Sequence, residues 1–220
     1  MNVALRSASI FAVLSASTAH AVEVERTDAT FADKRYTFEL VATLDAPIDR
    51  VEAVLRDYEN YPTLDSRILE SKILGRPAAN EVTLFTRLRA CTGPFCRTVK
   101  RTEIVEEDVH ELRATVIPEK SDLAFSETFS QLSNAGKRTR VVYRTTISPD
   151  FWVPRFVGRR SMLNTLRDVT LNLFGNVEKE AARPQLPVEC LPGGDCPPAA
   201  ADATIRSTAA VAKPESEPPK

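Results

Sequence analysis

The feature that most constrains the fold of this chain is a long amphipathic segment that runs from Pro154 to about Glu180. Its apolar residues recur at a spacing of about 3.6 residues, which is typical of an α-helix packed on one face. They form one stripe: Met162, Leu163, Leu166, Val169, Leu173, Phe174 and Val177. Pro154 suits the first helical turn, where its missing N–H would have no partner. A helix of this length needs another layer to cover its stripe, either as ordinary core or as one wall of a cavity.

Residues 1–21 carry the three parts of a secretory signal peptide. Arg6 stands near the start, an apolar run follows, and Ala19-His20-Ala21 supplies the small-residue pattern that predicts cleavage after Ala21. The apolar run is too short to cross a bilayer. The sequence therefore predicts a periplasmic or secreted protein, with an uncleaved anchor or a buried first helix as the alternative.

The regions on either side of the predicted domain lack a core pattern. We interpret residues 22–34 as an N-terminal extension and residues 183–220 as a flexible tail rich in Pro and Ala. Eight of the fifteen prolines follow residue 180, and no Phe, Tyr or Trp does. Such a segment cannot bury enough apolar surface to offset the entropy that is lost on ordering. One folded domain is therefore expected over residues 35–182.

Four cysteines occur as two close pairs, Cys91 with Cys96 and Cys190 with Cys196. In an oxidising compartment this arrangement favours two local disulfides, although three pairings are formally open. Neither spacing is that of a C-x-x-C zinc motif, and His110 completes no ligand pattern. No metal and no cofactor are therefore expected.

The first cysteine pair is predicted to close a four-residue loop at the tip of a hairpin. Phe95 lies in this loop, and basic residues surround it: Arg87, Arg89, Arg97, Lys100 and Arg101. Such a tip would make transient contact with the head groups of an anionic membrane surface. A solvated charged ribbon that resists edge pairing explains the same residues.

Short runs of alternating apolar and polar residues, separated by turn signals, predict seven strands. The runs are 36–44, 69–74, 82–90, 97–105, 111–117, 123–132 and 141–147. A short helix is predicted between the first two strands, with Pro47 near its first turn. Short connections make neighbouring strands antiparallel. The predicted fold class is therefore α+β, with a seven-stranded antiparallel sheet covered on one face.

Three motifs carry a resemblance to a known fold. They are Leu-Asp-Ala-Pro-Ile-Asp-Arg-Val at 44–51, Asp-Tyr-Glu-Asn-Tyr-Pro at 57–62, and Ser-Pro-Asp-Phe-Trp-Val-Pro at 148–154. With the element order, they resemble the helix-grip fold of the START-like (SRPBCC) superfamily, which includes polyketide cyclase-like and coenzyme Q-binding proteins. The resemblance covers about residues 35–180. It implies a curved sheet wrapped on the C-terminal helix, with an apolar cavity between them.

Ten residues are expected to line the cavity that this resemblance implies. They are Leu84, Phe125, Glu127, Phe129, Tyr143, Phe151, Trp152, Met162, Leu163 and Leu166. Alternation along strand 123–132 places Glu127 on the same face as Phe125 and Phe129. An inward carboxylate would hydrogen-bond a ligand or act as an acid or base; alternatively, Glu127 pairs with an arginine or reaches solvent. Phe151 and Trp152 would gate the cavity, or Trp152 would anchor its loop to the sheet.

Three functions are compatible with these features. The first is an exported protein that binds a hydrophobic molecule or lipid, such as a sterol or quinone, for transfer or sequestration. The second is an enzyme of the cyclase, aromatase or hydrolase type, with Glu127 as its candidate catalytic residue. The third is a module that binds another envelope protein, in which case side chains would fill the cavity. The net charge of −1 argues against nucleic acid as a partner, and we expect a monomer.

Overall fold

The computed structural model describes residues 22–93, 95–154 and 157–184. The predicted signal peptide, almost all of the predicted tail and the Cys190–Cys196 pair lie outside the described residues. Those features therefore stay predictions from the sequence.

The described residues form one antiparallel sheet of eight strands. The strands are β1 Glu23–Ala32, β2 Arg35–Leu44, β3 Ile68–Ala78, β4 Glu81–Thr92, β5 Phe95–Asp108, β6 Glu111–Val116, β7 Leu123–Ala135 and β8 Arg138–Pro149. Their order across the sheet is β1-β2-β8-β7-β6-β5-β4-β3. All seven predicted strands are present, but the predicted count is wrong because β1 precedes them. This edge strand is exposed along nearly its whole length, so it carries no alternating apolar signal.

Three α-helices complete the described fold. Helices α1 (Ile48–Arg56) and α2 (Tyr61–Leu64) lie between β2 and β3, and the long helix α3 (Arg159–Ala181) follows β8. The predicted short helix is present as α1, but Pro47 is its N-cap and not a residue of its first turn. None of the described helices is long and apolar enough to cross a membrane.

The long helix begins later than the sequence predicts. Its N-cap is Gly158, in extended backbone, so the predicted start at Pro154 is wrong. The carbonyl of Pro154 instead accepts a hydrogen bond from the N–H of Val157 at 2.9 Å, ahead of the helix. Glycine is a poor helix former, and regular helix begins only after it.

The C-terminal half of α3 packs on the sheet where β2 ends and β8 begins. Its buried residues Phe174, Val177 and Ala181 belong to one apolar cluster, whose other members include Phe38, Leu40, Leu44 and Val141. Two polar contacts fix the helix there. Oε1 of Glu178 accepts a hydrogen bond from the N–H of Asp45 at 2.7 Å, and Nδ2 of Asn176 donates one to the carbonyl of Leu64 at 2.7 Å. This end of the helix–sheet interface is therefore closed by direct packing.

The predicted disulfide between Cys91 and Cys96 is present at the tip of the β4–β5 hairpin. The strand ladder continues one pair beyond the cysteines, because Thr92 pairs with Phe95. The predicted four-residue loop is therefore a tighter turn. Gly93 lies in this turn with a φ of 58°, a left-handed conformation that favours glycine.

Candidate functional site

A cavity of about 440 Å³ lies between the inner face of the sheet and the N-terminal half of α3. The helix supplies a mainly apolar wall that includes Met162, Leu166, Val169 and Leu173. The sheet supplies a mixed wall that includes Leu88, Val99, Arg101, Tyr143, Thr145 and Ile147. The helix stripe is therefore divided, with core at one end and cavity wall at the other.

Four of the ten predicted ligand contacts line this cavity: Tyr143, Phe151, Met162 and Leu166. Leu163 is half-buried outside the lining. Trp152 is 73% exposed, so it does not anchor its loop on the sheet. Leu84 is buried in a separate apolar cluster with Tyr58, Val82 and Val105. Two of the three predicted residues on α3 therefore line the cavity, whereas of the five predicted residues on the strands only Tyr143 does.

The predicted inward orientation of Glu127 is wrong. Glu127 is exposed, whereas Ser126 and Ser130 on the opposite face of β7 are buried. The pairing of β7 with β8 shifts register between Leu123 and Phe125. Such an irregularity reverses which face the following residues occupy, so Leu123 points inward while the later odd-numbered residues point outward. Glu127 reaches solvent, which was the alternative interpretation.

The two phenylalanines of β7 share the outer face with Glu127, so their predicted inward placement is also wrong. Each is covered by a guanidinium from another strand of the sheet, β2 for Phe125 and the adjacent β6 for Phe129. The Cζ atom of Arg35 lies 3.7 Å from the ring centroid of Phe125, and that of Arg113 lies 4.7 Å from the centroid of Phe129. Cation–π contacts of this kind stabilise aromatic rings on a surface. They explain how large apolar residues face outward on this strand.

The polar part of the cavity wall is built around Arg101 on β5. Its Nε lies 2.9 Å from Oε2 of Glu103, two residues along the same strand face. The side chain of Glu103 is only 2% exposed. Burial raises the pKa of this carboxyl group, although the positive charge of Arg101 opposes the shift. Neither Nε of Arg101 nor Oε1 of Glu103 has a hydrogen-bond partner among the described residues, so the pair is close but incompletely satisfied.

Two tyrosines experience the charge of Arg101. The ring of Tyr143 packs edge-to-face on Phe174, with centroids 5.1 Å apart. The hydroxyl of Tyr61 donates a hydrogen bond to the carbonyl of Leu55 at 2.6 Å. Burial raises the pKa of both phenols, and Arg101 opposes the shift. Both hydroxyls are therefore neutral hydrogen-bonding groups near neutral pH.

A second ion pair lies on the cavity wall just ahead of β3. Nε of Arg67 donates hydrogen bonds to both carboxylate oxygens of Asp65, at 2.9 and 3.0 Å. Burial alone would raise the pKa of Asp65, but the hydrogen bonds and charge of Arg67 outweigh it and lower that pKa. This pair is fully hydrogen-bonded, unlike the pair formed by Arg101.

The mouth of the cavity forms where the disulfide hairpin meets α3 and the loop after β8. The hydroxyl of Thr92 donates to Sδ of Met162 at 3.4 Å. The Cζ atom of Arg97 lies 4.4 Å from the ring centroid of Phe151. The hairpin tip therefore contacts both the helix and the aromatic loop that border the cavity.

The arrangement is suited to holding an amphipathic molecule. The apolar side chains of the helix wall would contact a hydrocarbon body, and the polar groups, which include Arg101 on the sheet and Asp168 on α3, would orient one end. Among the described residues, no group of three His, Cys, Asp or Glu side chains is placed to hold a metal ion.

Comparison with known proteins finds similarity at the level of the fold. No protein-family model and no curated protein matches the sequence. Zhui aromatase/cyclase from Streptomyces sp. R1128 aligns with a TM-score of 0.57 at 15% identity, over 67% of this chain and 93% of that one. A START superfamily protein from Mycobacterium smegmatis aligns at 0.53 and 16% identity, over 65% and 97%. Human STARD10 aligns at 0.50 and 16% identity, over 70% and 73%.

The protein has the START-like helix-grip fold. The predicted resemblance is therefore confirmed for the fold, with eight strands in place of seven. Identities this low say nothing further, because one fold supports many ligands and activities.

Sequence reasoning missed the most polar part of this START-like cavity. It assigned Arg101 to the outer basic hairpin and did not single out Glu103. A signal was present: if Val99 and Val105 face the core, strict alternation turns Arg101 and Glu103 inward as well. Charged residues are seldom buried in an apolar setting, so a strand face that carries Arg101 and Glu103 is not readily identified as the inner face.

Proposed function

We propose that this START-like protein is an exported carrier that binds a hydrophobic small molecule, such as a lipid, sterol or quinone, for transfer or sequestration. The observation that carries the proposal is the cavity, with a mainly apolar helix wall opposite a sheet wall that contains polar and charged groups. Small-molecule sites are mostly apolar, contain a few orienting polar groups and measure about 300–1,000 Å³. A volume of about 440 Å³ suits one compact amphiphile.

The surroundings of the mouth support transient contact with a membrane surface. Trp152 is the exposed residue beside Phe151. Exposed basic residues lie on the hairpin and at the start of α3: Arg89, Arg97, Arg159 and Arg160. An amphipathic aromatic ring among cations suits the boundary between anionic head groups and hydrocarbon. A ligand would enter and leave the cavity through this region.

Export is supported by two independent features. The first is the three-part pattern of residues 1–21. The second is the disulfide between Cys91 and Cys96, since disulfides persist mainly in oxidising compartments. Periplasmic or extracellular carriage of an apolar molecule fits both.

The two other functions lose their supporting premise. The enzymatic interpretation needed Glu127 inside the cavity, and this residue is exposed on the outer face of β7. The protein-interaction module needed a cavity filled by side chains, whereas this one is open. Neither is proposed.

Mass spectrometry of protein exported from a cell and extracted without added detergent tests the carrier function. We expect an apolar molecule to co-purify at about one per chain. Leu166→Trp places a larger ring against the cavity, and should lose that molecule while the melting temperature is retained. Repeated recovery of wild-type protein with no apolar molecule would contradict the proposal.

A further inference from the structure

We infer that the ligand of this cavity carries an acidic group, and that the guanidinium of Arg101 binds it. The inference rests on the proposed function and deepens it by naming a chemical class. That class is an amphiphile with an apolar body and a carboxylate, or a comparable oxyanion, at one end.

The three cationic side chains on the cavity wall are not equivalent. Arg67 is held by the hydrogen bonds that it donates to Asp65. Arg89 is exposed to solvent. Arg101 is 25% exposed and lies between buried Val99 and Glu103 along β5, opposite the apolar wall of α3. Arg101 is therefore the cation placed to meet a group inside the cavity.

The guanidinium of Arg101 has unused hydrogen-bonding capacity. It carries five N–H donors, and its Nε has no hydrogen-bond partner among the described residues. The nearby carboxyl group of Glu103 lies at ion-pair distance but does not accept that hydrogen bond. Because Nε is itself buried beside Glu103, a carboxylate on a ligand would accept its two N–H bonds from the terminal nitrogens of the guanidinium, a bidentate geometry that arginine favours.

The charge balance of the pair favours an anion over a neutral ligand. Burial raises the pKa of Glu103, so its carboxyl group takes up a proton more readily than an exposed one. Once Glu103 is neutral, Arg101 is a partly buried cation without a counter-charge, which is costly in an apolar setting. An acidic ligand supplies that counter-charge. The neutral hydroxyl of Tyr143, on the same wall, offers a further donor.

The alternative is a ligand that carries no charge. If Glu103 stays ionised and compensates Arg101, the cavity is neutral overall, and an alcohol or ester would bind as well as an acid. Ligands that share one hydrocarbon chain and differ only at the head group separate the two cases.

The affinities of these ligands can be compared by the displacement of a neutral fluorescent probe. The full chain, stripped of lipid, is loaded with N-phenyl-1-naphthylamine at pH 7.5 and titrated with dodecanoate, dodecanol or methyl dodecanoate. We expect dodecanoate to displace the probe at a concentration at least about tenfold lower than either neutral compound, as a charge-assisted contact implies. Equal potency of all three would overturn the inference and leave the carrier function intact. Absence of probe binding and of displacement would overturn both.

Three variants test whether the preference for dodecanoate depends on Arg101 and Glu103. Arg101→Gln/Glu103→Gln removes both charges and leaves neither unpaired, so it should fold and lose its preference for dodecanoate over dodecanol. Glu103→Gln alone should keep or increase that preference. Glu127→Gln, on the outer face of the sheet, is the control and should change nothing. A preference for dodecanoate that survives in the double variant would overturn the role of Arg101.

Discussion

The two ends of the interface between α3 and the sheet are built differently, although one helix and one sheet form both. At the C-terminal end of the helix, Phe174 and Val177 are fully buried in the same cluster as Phe38. At the N-terminal end, Met162 and Leu166 face the sheet across a space of about 440 Å³. The helix stripe is apolar at both ends, so the helix alone does not decide which end is filled.

The difference lies in the inner face of the sheet. Opposite Phe174 and Val177 the strands present large apolar side chains, which interdigitate with the helix as in any close-packed interior. Opposite Leu166 they include Thr92, Arg101 and Thr145, whose shapes and polarity do not fill the same space. The closed end therefore fixes the helix on the sheet, while the open end is free to hold a ligand.

The largest expected effect is on the closed end. Phe174→Ala should lower the free energy of unfolding by about 4 kcal/mol, because it leaves a cavity in a packed core. Leu166→Ala, the matched change at the open end, should cost about 1 kcal/mol, since its side chain already borders free space. Urea denaturation of both variants measures the difference. Equal losses would show that the two ends are not distinct.

The next largest effect on stability is expected from removal of Arg101, which pairs with Glu103 at the open end. Arg101→Gln should lower the free energy of unfolding increasingly as pH rises, because an ionised Glu103 would then be buried without a cation. The loss should be smallest at low pH, because a raised pKa favours the neutral carboxyl group of Glu103 there. Arg144→Gln is the control, since that side chain is 61% exposed and should change stability by no more than about 0.5 kcal/mol. A pH-independent loss for Arg101→Gln would contradict the account of the pair.

Removal of the disulfide should affect the release of ligand through the cavity mouth more than it affects the stability of the domain. Cys91→Ser/Cys96→Ser should cost about 2 kcal/mol or less, because the closed loop is short. The same variant should release the probe from the cavity faster, since Thr92 and Arg97 of this hairpin contact Met162 and Phe151. Thermal unfolding and stopped-flow fluorescence measure the two effects. An unchanged release rate would show that the hairpin does not border the ligand path.

Glu103→Gln should produce a small effect whose sign depends on pH. The pKa of Glu103 is raised in the folded state, so its favourable contribution is complete below the unfolded pKa of about 4.5 and is lost as pH rises through the folded pKa. The stability of the variant relative to the wild type should therefore rise with pH, and the variant should gain nothing at pH 4. Melting temperatures across this range measure the trend, and a gain confined to low pH would contradict it.

The smallest expected change in stability accompanies Trp152→Ala, because this side chain is 73% exposed. Binding to vesicles that contain anionic lipid should nevertheless fall, since the ring would insert among the head groups beside the mouth. Val109→Ala is the matched control: Val109 is 84% exposed and follows β5 at the end opposite the disulfide hairpin. Equal vesicle binding by wild type and Trp152→Ala in a sedimentation assay would contradict the membrane contact.

Much of the fold follows from local patterns in the sequence. Alternation and turn signals predict strands β2 to β8, because each strand buries one face and tight turns separate them. The edge strand β1 buries little, so no periodicity reveals it. The start of α3 is shifted because its N-cap is Gly158, and the carbonyl of Pro154 bonds to the N–H of Val157 ahead of the helix.

The candidate site follows less directly, because it depends on strand register. The helix residues Met162 and Leu166 are predicted well, since helical periodicity over many residues fixes which face is buried. In β7 a single irregularity after Leu123 reverses the strand faces and turns Glu127 outward. That irregularity is set by pairing with β8, which alternation within one strand does not reveal.

The most direct test of the central claim is a fluorescence titration of the lipid-free protein with N-phenyl-1-naphthylamine, for the wild type and for Leu166→Trp. If the open end of the interface is a ligand cavity, the wild type binds one probe per chain with saturation. The variant should then bind at least about tenfold more weakly at an unchanged melting temperature. Saturable binding that is equally strong in both proteins, or no saturable binding by the wild type, would contradict the claim.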